Sequence, residues 1–161
     1  MDVFAHGLWS YAVFSKTKHR WLAALFGVLP DVLSFGPHFF WELGNHGFGR
    51  PSLASIPGYV FAMYNFTHSL IPVSLVLLVV YLLTRKVWLP LLAWLMHVLV
   101  DIPTHTAAFF PTPFLWPFET PFVSGVSWGN PVFMALNYGS LILVYALYVF
   151  RKEKRRRESV V

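Results

Sequence analysis

Hydrophobic positions along the chain gather into five blocks, 3–15, 21–35, 66–84, 87–102 and 131–150. Short basic turns separate some of them, and two long segments rich in Gly, Pro, Trp and Phe separate the others. The block at 131–150 carries no formal charge and matches the roughly 20 residues that a helix needs to cross a bilayer core. The block at 66–84 approaches that length, and the remaining three are shorter, as in tilted or partly re-entrant helices. The pattern therefore predicts an all-α integral membrane helical bundle of about five transmembrane or partly re-entrant helices. A single membrane-embedded domain is expected over 1–150, followed by a basic cytoplasmic tail at 151–161. The first block has only Asp2 before it and no small-residue cleavage site after it, so it reads as a retained helix rather than a signal peptide. The segments 36–65 and 103–130 are expected as loops lying at the outer interface or folding back into a cavity.

Composition agrees with this pattern. Of 161 residues, 57% are hydrophobic, 19% aromatic and only 12% charged, about half the charge of an ordinary soluble domain. Mean hydropathy is +0.58. The absence of cysteine excludes disulfides, thiolate metal sites, iron–sulfur clusters and cysteine nucleophiles. The sequence pI near 9.7 would fit a nucleic-acid partner, but the placement of the charges does not. Lys16, Lys18, Arg20, Arg85, Lys86 and the six basic residues of the tail all fall on one side of a five-span chain, and only Arg50 falls on the other. The positive-inside rule then gives an outer amino terminus and an inner carboxyl terminus. The tail reads as a topological signal attracted to anionic lipid headgroups, and no nucleic-acid partner is expected.

Ionisable residues inside apolar blocks are costly and are candidates for function. Here they are His6, Asp31, His68, His97 and Asp101. Counted from the basic turns at 1.5 Å per residue, they lie roughly 15–25 Å deep, in one layer reachable from outside. His97 and Asp101 are four apart and share a helix face. Asp31 follows Pro30, which loosens the helix, and a lone carboxylate there needs a proton or a cation. Thr67 or Ser69 would orient the second ring nitrogen of His68. Three imidazoles and two carboxylates suit zinc or another divalent metal such as manganese. Five ligands exceed the needs of one tetrahedral ion and suggest a dinuclear site with Asp101 as the bridge, so one or two ions are expected.

The ordered set His6, L-P-Asp31, T-His68-S-L, His97-V-L-V-Asp101 and F-L-W-P-F at 114–118 resembles the YdjM-type membrane-bound metal-dependent hydrolases, and more distantly the all-helical zinc-dependent bacterial phospholipase C. That resemblance implies a first metal held by Asp31, His68, His97 and Asp101, and a second held with the help of His6 and Asp101. Asn65 and Phe66 stand where the family often has arginine, and no element for a third zinc follows Asp101. The function expected is hydrolysis of a phosphoester or phosphoanhydride of a lipid at the outer face of the cell membrane, by a water that the metal activates. Asp31 or His105 would serve as catalytic base, and Arg50 would bind the anionic substrate group. His38, Glu42, His46 and Glu119 would line the entrance. The alternative is a non-catalytic metal-ion or proton transporter built on the same cluster, for which a homodimer would supply the missing repeat symmetry. A haem protein using His68 and His97 would leave both aspartates without a role.

Overall fold

The computed structural model describes residues 1–47, 56–119 and 121–158. Among them are six helices and no strand: α1 (Val3–Val13), α2 (Arg20–His46), α3 (Gly58–Thr67), α4 (Leu70–Thr84), α5 (Leu92–Thr104), led in by a 3₁₀ turn at Leu89–Leu91, and α6 (Pro131–Glu158). The all-helical bundle expected from the hydrophobic blocks is present. α2 and α6 are each long and apolar enough to cross a membrane, and α3 with α4 would make a third crossing if the bent pair is one span. α1 and α5 are short, at 11 and 13 residues.

Three boundaries differ from the sequence reading. α2 does not stop at residue 35 but runs on to His46, with Pro30 and Pro37 inside it, and α3 begins at Gly58, so both ends of the expected interfacial loop 36–65 are helix. An internal proline removes one hydrogen bond and loosens a turn without reversing the chain. The block 66–84 is not one helix: the axis bends by 55° between α3 and α4. Ser69 causes the break locally, because its hydroxyl caps α4 by accepting the N–H of Ile71 (3.3 Å). The basic tail continues α6 as helix to Glu158 instead of forming a separate segment.

α1 is started by Asp2, whose carboxylate accepts the N–H of Ala5 (3.0 Å) and the hydroxyl of Tyr138 on α6 (2.8 Å). Further along, Trp9 donates to Asn137 (2.8 Å), Tyr145 to the Leu8 carbonyl (2.9 Å) and Arg20 to the Tyr148 hydroxyl (2.7 Å). Asp2 meets Tyr138 and Leu8 meets Tyr145, seven residues on, so α1 and α6 run parallel. α2 is central and packs against α1, α3 and α5. The C-terminal carbonyls of α5 are met by the returning chain: Val126, Trp128 and Gly125 donate to Pro103, Thr104 and His105 at 2.8–3.0 Å. A side chain at Gly125 would collide with the Pro103 carbonyl.

Burial is inverted relative to a soluble globule. His6, His68, His97, Thr67 and Asp101 are sealed inside, whereas Phe4, Trp21, Leu83 and Ile142 are all at least 70% exposed. Two apolar clusters flank the polar centre, one around Val73, Leu91, Trp94 and Val98, the other around Met1, Ala5 and Leu141. Of the small residues that could aid packing, Ala93 is buried and Gly27 lies directly beneath Ser10 of α1, while Gly139 faces open space.

A methyl group at Gly27 would sit 2.1 Å from the Ser10 hydroxyl and 3.0 Å from the His6 carbonyl. Gly27→Ala is therefore expected to destabilise the detergent-purified protein by about 1–3 kcal/mol, seen as a lowered Tm. Adding Ser10→Gly should recover much of the loss; no recovery would show that α1 does not rest on α2 at this point.

Candidate metal centre

Four helical segments deliver the polar centre. α2 presents Asp31 one turn after Gly27, the α3–α4 break presents His68, and α5 presents His97 and Asp101 on one face. α1 adds His6. One ligand atom from each of Asp31, His68, His97 and Asp101 lies within 4.8 Å of the other three, and all four residues are buried. A metal ion can be held there.

The hydrogen bonds around the rings determine what the centre offers. His97 Nδ1 lies 2.7 Å from the Gly27 carbonyl, which only accepts, so this nitrogen carries the proton. His68 Nδ1 lies 2.9 Å from the Thr67 hydroxyl, which is itself 2.9 Å from the Met63 carbonyl. Thr67 thus donates to the main chain and accepts from His68. Both rings are left with a bare Nε2, and the two Nε2 atoms face each other at 3.1 Å. Around them stand Asp31 Oδ1, 3.3 Å from His68 Nε2, and Asp101 Oδ2, 3.2 Å from His97 Nε2 and 3.6 Å from His68 Nε2. Asp31 Oδ2 and Asp101 Oδ2 are buried without a hydrogen-bond donor. Lone pairs converge here with no proton between them, an arrangement that a cation satisfies and that is costly without one.

Asp101 divides its two oxygens. Oδ2 faces His68 and His97, while Oδ1 faces His6 Nε2 at 2.8 Å and His105 Nε2 at 3.5 Å. The Met1 amino group also contacts Oδ1 and lies 3.0 Å from Thr104 Oγ1. The ring of His6 stacks on that of His97 at 3.7 Å between centroids.

His105 comes back toward Asp101 despite Pro103 before it. α5 continues through the proline to Thr104, and the His105 N–H still bonds the Asp101 carbonyl (3.1 Å). Its Nδ1 donates to the Phe110 carbonyl (2.7 Å), which leaves Nε2 unprotonated toward Asp101. Phe110 holds a left-handed backbone conformation (φ 44°), and its carbonyl also accepts the hydroxyl of Tyr64 (2.8 Å).

Of the two residues expected to orient His68, Thr67 is in place and Ser69 is engaged elsewhere. The Ser69 hydroxyl lies 2.8 Å from the Trp116 carbonyl and 3.3 Å from that of Phe114, while Leu70 N–H bonds Phe114 (2.9 Å). Ser69 therefore fastens the F-L-W-P-F segment onto the head of α4. Arg50 lies outside the described residues. Glu42 approaches His46 at 3.2 Å and His38 at 3.9 Å along the second half of α2. Sequence reasoning missed Gly27, Tyr64 and Phe110. Gly27 and Phe110 act through main-chain carbonyls, which no residue type announces, and Tyr64 stacks on His68 at 4.0 Å. Compared with family models, curated proteins and solved structures, the chain gives no match.

Thr67→Val removes the acceptor for His68 Nδ1 and should weaken zinc binding by about 10–100-fold, whereas Thr67→Ser should retain most of it. Competition against a chromophoric chelator measures both. Equal affinity in Thr67→Val and the wild type would reduce Thr67 to a packing role.

Proposed function

We propose that the protein is a membrane-embedded metal-dependent hydrolase that cleaves a phosphoester or phosphoanhydride bond of a lipid presented at the outer face of the membrane. The observation that carries this reading is the cluster of Asp31, His68, His97 and Asp101, in which neither Oδ2 meets a donor and Asp101 turns its other oxygen to His6, His105 and the Met1 amino group. Mixed imidazole and carboxylate donors fit zinc, and manganese less closely. Asp31, His68, His97 and Asp101 would hold one ion, and His6 and Asp101 would help hold a second. When bound, such ions supply Lewis acidity toward phosphoryl oxygens and acidify water.

The chain's own groups do the rest. Asp101 fixes the spacing of the two halves of the centre. Asp31 and His105, each 7% exposed, are the least covered of the six groups. Asp31 Oδ2, which no donor meets, and His105 Nε2 are the two acceptors available, and either can take the proton of an attacking water. The order and spacing of the ligands, similar to the YdjM-type hydrolases, support the reaction class.

The membrane setting rests on the inverted burial and on charge. In this reading the chain crosses about five times, with α1 and α5 tilted or partly re-entrant. The parallel run of α1 and α6 brings Arg20 to Tyr148, so the basic residues after α1 and those of the tail share one side, the inner side by the positive-inside rule. Asp31 sits about 16 Å along α2 from Arg20, near mid-depth, and the substrate would enter laterally from lipid.

Reconstituted protein should release phosphate from lipid phosphates or pyrophosphates. A chelator should stop release, and zinc or manganese should restore it. Asp101→Asn should abolish turnover, and His105→Gln should slow it by about 10²–10⁴-fold if His105 is the base. Metal passage across sealed vesicles without hydrolysis of any lipid phosphate would replace the hydrolase with a carrier.

A further inference from the structure

A second built feature lies at the opposite end of α6, independent of the metal centre. Between the end of α1 and the last turns of α6 is a cavity of about 450 Å³, within the range of ligand pockets. Lys16, Arg151, Lys152 and Arg155 surround its polar end, and Tyr11, Tyr145 and Tyr148 add hydroxyls. Its other wall is apolar, formed by Ala12, Val144 and Leu147. Tyr148, Arg151, Lys152 and Arg155 recur at three- and four-residue intervals, so they share one face of α6.

The acidic residues of the tail do not serve this face. Glu158 pairs with Lys154 (3.9 Å) and Glu153 with Arg157 (4.0 Å), whereas among the described residues no carboxylate pairs with Lys16, Arg151, Lys152 or Arg155. Arg20 braces the rim from α2, bonding Tyr148 and lying 5.2 Å over the Tyr11 ring. The cavity thus combines uncompensated positive charge with an apolar wall, at the level where the uncharged stretch of α6 gives way to the tail.

We propose that this cavity binds the phosphate headgroup of an anionic phospholipid from the leaflet that the tail faces. The four cations and the hydroxyls of Tyr11 and Tyr148 take the phosphate, and the acyl chains lie against Val144 and Leu147. A basic pocket between helices is the arrangement that selects an anionic headgroup rather than a merely negative surface. The apolar wall favours a lipid over free phosphate.

The test compares two double variants of the full chain that remove equal charge: Arg151→Gln/Arg155→Gln on the cavity face, and Lys154→Gln/Arg157→Gln off it. Binding of labelled phosphatidylglycerol to detergent-purified protein is titrated against phosphatidylcholine. The wild type and the off-face variant should prefer phosphatidylglycerol by about tenfold or more, and the cavity variant should lose that preference. All four residues substituted in the cavity and its control lie on the exposed tail, and equal Tm values for the three proteins confirm intact folds. Equal loss in both variants would show diffuse attraction to the tail and overturn the site. So would no preference in the wild type. Displacement of the lipid by equimolar glycerol phosphate would overturn the lipid in favour of a free phosphate ligand.

Discussion

Two imidazole nitrogens facing each other at 3.1 Å, each stripped of its proton by a bond on the far side of its ring, set the terms for the rest of this molecule. Such a pair, with two carboxylates beside it, repels itself unless a positive charge lies between. Removing these groups from water is costly, and only a rigid frame keeps them converged. The architecture is organised to provide that frame. α2 carries Asp31 and lends the Gly27 carbonyl to His97, α3 ends at the Thr67 hydroxyl, and α5 carries the pair that closes the centre. Trp94 ties α5 to the end of α3 by donating to the Thr67 carbonyl at 2.7 Å.

Each device that looks like a defect in a helix serves this convergence. Pro30 loosens the turn next to Asp31, and its carbonyl accepts the Ser34 hydroxyl at 2.8 Å. The break at Ser69 lets His68 leave the helical path beside Asp31 and His97, and the same serine anchors the segment 114–116. Phe110 adopts φ 44° and offers one carbonyl to both His105 and Tyr64. A non-glycine residue in that region is uncommon, and strain of this kind persists where surrounding bonds fix it. Among the described residues, only two small apolar clusters are buried around the polar interior, and most of the large apolar side chains face outward.

The sequence disclosed the ligands more fully than the frame. His6, Asp31, His68, His97 and Asp101 stand out because each interrupts an apolar block, and a fixed rise per residue is enough to place them at similar depths. The prediction that Asp101 joins two halves of the site followed from its four-residue spacing to His97, and its two oxygens do face different histidines. Boundaries were harder. Gly36 and Pro37 read as the start of a loop, yet the helix passes through them to His46. Ser69 read as a partner for His68, but a serine also caps helices, and capping α4 won. The carbonyls of Gly27 and Phe110 could not be found by residue type, because every residue has one and only the fold aims it.

The central claim is that the converging lone pairs are a metal centre. Metal content of the detergent-purified protein tests it most directly, measured for the wild type beside Asp101→Ala and His68→Ala. The account predicts roughly one to two equivalents of zinc or manganese in the wild type and a marked loss in both variants. Wild-type protein that stays free of metal after reconstitution with excess zinc would contradict it and leave the four groups as a proton-sharing network.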